Sequence, residues 1–292
     1  MNIIQLPSDV WYIILSFVKF LRVDYLLIEK QITSVAIDRI FKERFTKICV
    51  DDKSKMTDLS LINLRHVTKL TVGDHNNFSS KGINSLSNLQ KMTLYGETFH
   101  IDSKKLSKLT NFCLCDSLIS EKRISSFSNL TKLKIFGASN LTDKGLRKLT
   151  NLGELSLMRN VVISDKGIKT LTNLRSLDLH LTEKITDHAL KRLTNLEKLS
   201  IVSNGIITDN GLKCMTQLTW LDASYNDNIS DFSISKLTNL THLEILGNEL
   251  VTNLGISKLT NLTLLDIKYN DEITDEGIIT LTNLSSFNGT GQ

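Results

Sequence analysis

From residue 64 onward the apolar positions recur with a fixed period. The tetrapeptide Leu-Thr-Asn-Leu begins at Leu149, Leu171, Leu193, Leu237, Leu259 and Leu281, and Met215-Thr216-Gln217-Leu218 fills the gap, so each step is 22 residues. The same phase runs backwards through Phe127, then by steps of 18, 23 and 22 residues to Leu109, Leu86 and Leu64. Self-similarity of this kind marks a stacked array, in which each unit buries its apolar side chains only against its neighbours. The count predicts ten repeats and a final fragment, and therefore about ten strands.

Within a unit such as Leu196 to Asn204, apolar and polar residues alternate as they do along a half-buried strand. Leu/Ile-Ser/Thr-Asp follows, as in Ile163-Ser164-Asp165 and Ile207-Thr208-Asp209. A hydroxyl before a carboxylate reads as the cap and first turn of a short helix. Glycines at 82, 145, 167, 211, 255 and 277 predict close packing or an unusual backbone angle. The asparagines that end the strands (Asn160, Asn204, Asn226, Asn248 and Asn270) are expected to be buried, bonding main-chain groups at the bend.

Over about 230 of the 292 residues this pattern, L-x-x-L-x-L-x-x-N, resembles the leucine-rich-repeat family. The Leu-Thr-Asn-Leu openings resemble internalin-type units. Ile-Thr-Asp-x-Gly-Leu is similar to the repeats that follow F-boxes in ubiquitin-ligase subunits. The resemblance implies an α/β fold: a solenoid with a curved parallel sheet, one strand per repeat, preceded by a small helical domain.

Residues 1–48 lack the repeat. Val10, Ile13, Ile14, Phe17, Val18 and Leu21 lie at helical spacing behind Pro7 and Asp9, and further helices are expected over 22–31 and 33–46. The residues alone describe a helical cap for the first strand. The wording Leu6-Pro7-Ser8-Asp9-Val10 through Ile14-Leu15 to Val18 also resembles the opening of an F-box, and Ile40 to Phe45 its close, while Leu26 to Ile37 departs from that pattern. The resemblance implies that Leu6, Pro7, Val10, Ile14 and Leu15 bind the adaptor subunit of a cullin-RING ubiquitin ligase. The expected organisation is therefore a helical domain over 1–48, a connector over 49–63 and the solenoid over 64–292.

Composition narrows the function further. With 41% hydrophobic and 23% charged residues and a single proline, the chain is expected to be folded throughout. A balance of 35 basic to 31 acidic residues, with the lysines dispersed, gives no reason to expect nucleic acid. The apolar stretch Val10 to Val18 is too short to cross a bilayer and lacks the features of an export signal, so no membrane partner and an intracellular location are expected. Four cysteines at irregular spacing are expected to be reduced, and Cys113-x-Cys115 to serve core packing. Sequons such as Asn239-Leu240-Thr241 belong to the repeat rather than to glycosylation.

No nucleotide, hydrolase or metal motif is present, so neither catalysis nor a cofactor is expected. Binding is the remaining use. Strand residues between the core leucines should face outward onto the concave side, basic at the N-terminal end and acidic further on. They place Trp220, Asp178, His180, Asp222, Tyr225, His242, Glu244, Leu246, Asp266 and Tyr269 on one target-binding surface. Its carboxylates suit a basic protein.

Overall fold

The computed structural model describes residues 46–50, 57–62, 64–73, 79–96, 99–117, 119–137 and 139–289. Leu6, Pro7, Val10, Ile14 and Leu15, and with them the expected helical domain, lie outside that set. The chain forms two compact units, residues 1–119 and 120–292. In the first, β1 (Lys47–Val50), β2 (Lys69–Val72), β3 (Lys91–Tyr95) and β4 (Asn111–Cys115) pair in parallel and in chain order. The second unit holds β5 (Lys132–Phe136), β6 (Glu154–Ser156), β7 (Ser176–Asp178), β8 (Lys198–Ser200), β9 (Trp220–Asp222), β10 (His242–Glu244), β11 (Leu264–Asp266) and β12 (Ser286–Asn288). These too are parallel neighbours in chain order. One strand per repeat is as expected. The described strands exceed ten because β1 precedes residue 64 and the final fragment supplies β12.

Register is carried without slip, so that Leu155, Leu177, Leu199, Leu221, Leu243 and Leu265 stand side by side. All six are at most 1% exposed. Each Leu-Thr-Asn-Leu is a tight turn: Leu174 N donates to Leu171 O at 3.0 Å, and Leu262 N to Leu259 O at 3.0 Å. Both leucines enter the core in all but the last, where Leu284 is half-buried, while the asparagine amide reaches back one repeat to the carbonyl of the equivalent Thr, as from Asn173 to Thr150 O at 3.0 Å and from Asn261 to Thr238 O at 2.9 Å. Asn239 makes the same bond to Thr216 O at 2.8 Å, so the amide of that sequon is already engaged.

A second asparagine ladder runs through the interior. Asn226 donates to Asn204 O at 2.7 Å and Asn248 to Asn226 O at 2.9 Å, and all three residues are fully buried. Their side-chain oxygens accept from the chain just beyond; Asn248 takes the amides of Leu250 and Val251 at 3.0 and 3.2 Å. The bend leaves these main-chain groups without a sheet partner, and the carboxamide satisfies both a donor and an acceptor at once. The residue before each ladder asparagine is left-handed, with φ of 53° at Tyr225, 58° at Gly247 and 61° at Tyr269. Its amide nevertheless continues the ladder, from Tyr225 N to Leu246 O at 2.7 Å and from Gly247 N to Lys268 O at 2.9 Å.

The Thr-Asp pair does more than cap. Thr208 Oγ1 accepts from Asn210 N at 3.2 Å, as an N-cap should, but Asp187 of the preceding repeat receives both the amide and the hydroxyl of Thr208, at 2.8 and 2.7 Å. The same two-point staple joins Asp143 to Ser164, Asp165 to Thr186, Asp209 to Ser230 and Asp231 to Thr252. It accounts for the following glycine by close packing rather than by an unusual angle. A Cβ at Gly211 would lie 2.5 Å from Asp187 Oδ1, and one at Gly255 2.3 Å from Asp231 Oδ1. Ser233 occupies that position in one repeat and turns the contact into a bond, its Oγ 2.6 Å from Asp209 Oδ1.

One expectation is corrected. Cys113 and Cys115 do not pack the core, where Phe112 and Leu114 are the buried members of β4; both cysteines are half-buried on the outer face. At the other end of the chain, all three residues of β12 are exposed.

Candidate protein-binding face

In the second unit the core leucines point toward the helical turns, and the residues between them form two aligned columns on the outer face. Lys132, Glu154, Ser176, Lys198, Trp220, His242 and Leu264 make the first; Lys134, Ser156, Asp178, Ser200, Asp222, Glu244 and Asp266 make the second. Alternation along each strand and exact register between strands put them there.

Trp220 is half-buried rather than freely exposed. Its ring forms one wall of a shallow hollow of about 340 Å³ whose other walls include Lys134, Glu154, Ser156, Asp178 and Lys198. His242 is the next residue in that column, with Nδ1 2.8 Å from the Thr241 hydroxyl. A flat aromatic surface beside both charge signs suits an amphipathic side chain with an apolar stem and a charged tip.

The carboxylates fall into two groups. Asp178 sits two strands from Asp222, with Ser200 between them, close enough for its charge to act on Asp222, and it accepts the Ser156 hydroxyl at 2.8 Å and the His180 amide at 3.1 Å. Asp222, Glu244 and Asp266 occupy directly adjacent register positions on β9, β10 and β11, with strands about 4.8 Å apart. Ion pairs among the described residues join Lys132 and Lys134 to Glu154 and Arg175 to Glu197, and none reaches these three carboxylates. Asp222 is held by the Ser224 hydroxyl and amide at 2.6 and 3.1 Å. Asp266, the most buried at 9% exposure, is braced by the Lys268 amide and by Asn288 at 2.9 Å.

Burial raises the Asp222 carboxyl above its ordinary value, and the Asp178 charge adds to the rise, against the lowering effect of the Ser224 bonds and of His180. Glu244 is raised first by burial and then by the negative charges of Asp222 and Asp266. A cation arriving here would stabilise both charged forms and pull both values down. The sign for stability follows from the raised folded values: folding favours the protonated acids, so these two groups add stability as pH falls through their folded pKa. Binding of a cationic partner should move oppositely. Its affinity is expected to fall progressively on acidification from neutral pH to about 4, as Glu244 and Asp222 take up protons. An affinity that is flat over that range in the wild type would contradict the role given to these acids.

Tyr225 and Tyr269 project from the strand ends, 50% and 69% exposed, each fixed by its left-handed backbone. The Tyr225 ring lies over Gly247, where an added Cβ would come within 2.8 Å of it. Leu246, one residue before Gly247, is half-buried, its amide 3.2 Å from Ser224 Oγ. The structure thus brings Trp220, Asp222, His242, Glu244, Leu246, Asp266 and the two tyrosines onto β9 to β11 and their ends, with Asp178 and His180 one flank away. Sequence reading missed the supporting groups Ser224, Asn288 and Gly247. Only Gly247 left a signal, since with Gly96 and Gly137 it is one of the glycines in a left-handed column otherwise filled by Asp116, Arg159, Leu181, Ser203, Tyr225 and Tyr269.

No helix among the described residues is long and apolar enough to cross a membrane. A family model described as Leucine Rich repeat matches residues 148–171, 192–215 and 258–281. No curated protein matches the sequence. Among solved structures, an internalin (InlF) of Listeria monocytogenes is similar with a TM-score of 0.58 and 21% identity, over 92% of this chain and 94% of its own. The functional domain of InlJ from the same organism matches with a TM-score of 0.58 and 24% identity, over 92% of this chain and 58% of that one. A TLR13–ssRNA13 complex matches with a TM-score of 0.62 and 19% identity, over 77% and 39%. At these identities the likeness is one of fold, and that fold is the leucine-rich-repeat solenoid.

Proposed function

We propose that this leucine-rich-repeat protein acts by binding rather than by catalysis, and that β9 to β11 hold a basic segment of a protein target. The observation that supports the reading is the side-by-side row Asp222, Glu244 and Asp266, which no Lys or Arg among the described residues meets in an ion pair, next to the Trp220 wall. Like charges on neighbouring strands oppose folding, so an outside cation that neutralises them gains more than it would on an ordinary surface. Trp220 supplies contact area, Glu244 and Asp222 the charge, and Tyr225 and Tyr269 the rim.

The proposal extends to the N-terminus. On the resemblance of residues 6–18 to an F-box, that segment tethers the chain to the adaptor of a cullin-RING ubiquitin ligase, and the target is presented by proximity. Affinity capture of the full chain with mass spectrometry tests both parts. Trp220→Ala is expected to weaken target recovery by about 30-fold, the equivalent of about 2 kcal/mol for an aromatic anchor. Leu6→Asp with Pro7→Ala should lose the ligase adaptor and keep the target. Recovery of the same target at unchanged yield by Trp220→Ala would sink the first part, and unchanged adaptor recovery the second.

A further inference from the structure

On the helical-turn side of the second unit, successive short helices pack against one another, so cations dispersed along the sequence become neighbours. Arg147, Lys169, Lys191 and Lys213 are the C-caps of the helices Asp143–Leu146, Asp165–Ile168, Asp187–Leu190 and Asp209–Leu212. Lys236 and Lys258 follow in the next two repeats; Lys213 is half-buried and the other five cations are exposed. Residues 139–289 are described without a gap, and within them none of the six meets a carboxylate in an ion pair. Lys213 Nζ donates to the Asn210 carboxamide oxygen at 3.1 Å, and Lys236 Nζ stands 3.5 Å from the centroid of the Phe232 ring.

A helix end favours a nearby cation, which gives each cap residue a local reason to be basic. Ser235 and Ser257 fill the same cap in the next two repeats, so the cap itself does not require charge. The staple aspartates on this side are half-buried and engaged by the following repeat, as Asp165 is by Thr186 and Asp187 by Thr208. Where the caps turn to serine, apolar side chains come out instead. Phe232 is 55% exposed and Leu254 74%, each at the second position of its helix, Asp231–Ile234 and Asn253–Ile256. Exposed apolar side chains continuous with a basic surface mark a contact site rather than an ordinary solvated face.

The apolar pair and the residue type of the cations select the partner. A nucleic-acid backbone would take the cations and leave Phe232 and Leu254 in water. Protein interfaces are depleted in lysine, which supplies every one of the six cations except Arg147. A lipid surface uses both features, lysines at the headgroups and apolar side chains at the acyl boundary. We propose that the helical-turn side of the second unit binds an anionic lipid surface, with the cap cations on the headgroups and Phe232 and Leu254 entering the boundary. Lys236 and Lys258 each follow an apolar residue by four positions, so their stems lie along it while their charges stay at headgroup level. A bilayer surface is bound in this way without any spanning segment. Lipid brings no peptide to this side, in keeping with a protein target confined to the strand face.

Flotation of the full chain with vesicles tests this. Phosphatidylcholine vesicles holding about 30% phosphatidylserine are expected to carry the protein, and phosphatidylcholine alone to leave it behind. Lys169→Gln with Lys191→Gln should weaken binding about 30-fold, through the loss of two cations at a charged surface. Phe232→Ser with Leu254→Ser should weaken it about 10-fold or more. All four side chains are exposed, so both double variants should fold, which circular dichroism checks. Glu244→Gln, on the strand face, should float as the wild type does. Flotation that ignores phosphatidylserine, or wild-type flotation by either double variant, would overturn the proposal. So would failure to float on either vesicle, and retention of random-sequence duplex DNA in that case would assign the cations to a nucleic-acid backbone instead.

Discussion

Asn248→Ala is expected to destabilise the second unit by about 3–5 kcal/mol. The carboxamide is fully buried and makes four bonds, to Asn226 O, Ile229 O, Leu250 N and Val251 N. Alanine would orphan two carbonyls and two amides where water has no access, and each orphan costs about 1–3 kcal/mol. Relaxation of the bend recovers part of that sum. Asn239→Ala removes a comparable amide from the exposed ladder, where water replaces it, and is expected to cost under about 1 kcal/mol. Denaturant midpoints of the two variants check the contrast. Equal losses would mean that the interior ladder does not carry the bend.

Gly255→Val should be nearly as damaging, at about 3 kcal/mol or more, and for a different reason. Its Cβ would meet Asp231 Oδ1 at 2.3 Å and Val251 Cγ1 at 3.0 Å. The oxygen cannot retreat without giving up the Thr252 amide, which it accepts at 2.8 Å. Gly255→Ser is expected to be far milder. Ser233 shows that the same niche takes a hydroxyl when that hydroxyl donates to the aspartate, and Ala189 shows that one methyl can be seated. Thermal unfolding separates the two variants. A serine substitution as harmful as valine would place the constraint in the glycine backbone instead of in the staple.

The parallel array, its one-strand repeat and the buried asparagines were legible because translational symmetry writes each requirement once per turn. The function of the aspartate in Thr-Asp was half legible. Its helix-end position is local, but its partner lies 21 residues on in the next coil, as from Asp231 to Thr252, and no single repeat shows that distance is closed. The cysteines were misread because Cys113 and Cys115 alternate correctly for either face. Only the flanking Phe112 and Leu114, in register with Met92 and Leu94, fix which side is inward. On the outer face, position was predictable and state was not. Trp220, Asp178 and Asp266 occupy their expected columns, yet the hollow beside Trp220, the bond from Ser156 to Asp178 and the bracing of Asp266 by Asn288 depend on which side chains happen to be neighbours across repeats.

The proposed capture of a target rests on the outer face of β9 to β11 being where a basic protein docks. A photo-crosslinking amino acid placed at Trp220, compared with one at Leu254, tests it most directly. Leu254 is 74% exposed on the helical-turn side, so it samples the opposite surface of the adjacent repeats. The account predicts a crosslink at 220 to a peptide rich in lysine and arginine, suppressed by Glu244→Gln, and none at 254. Crosslinks at 254 alone, or at 220 to acidic peptides indifferent to Glu244→Gln, would contradict it.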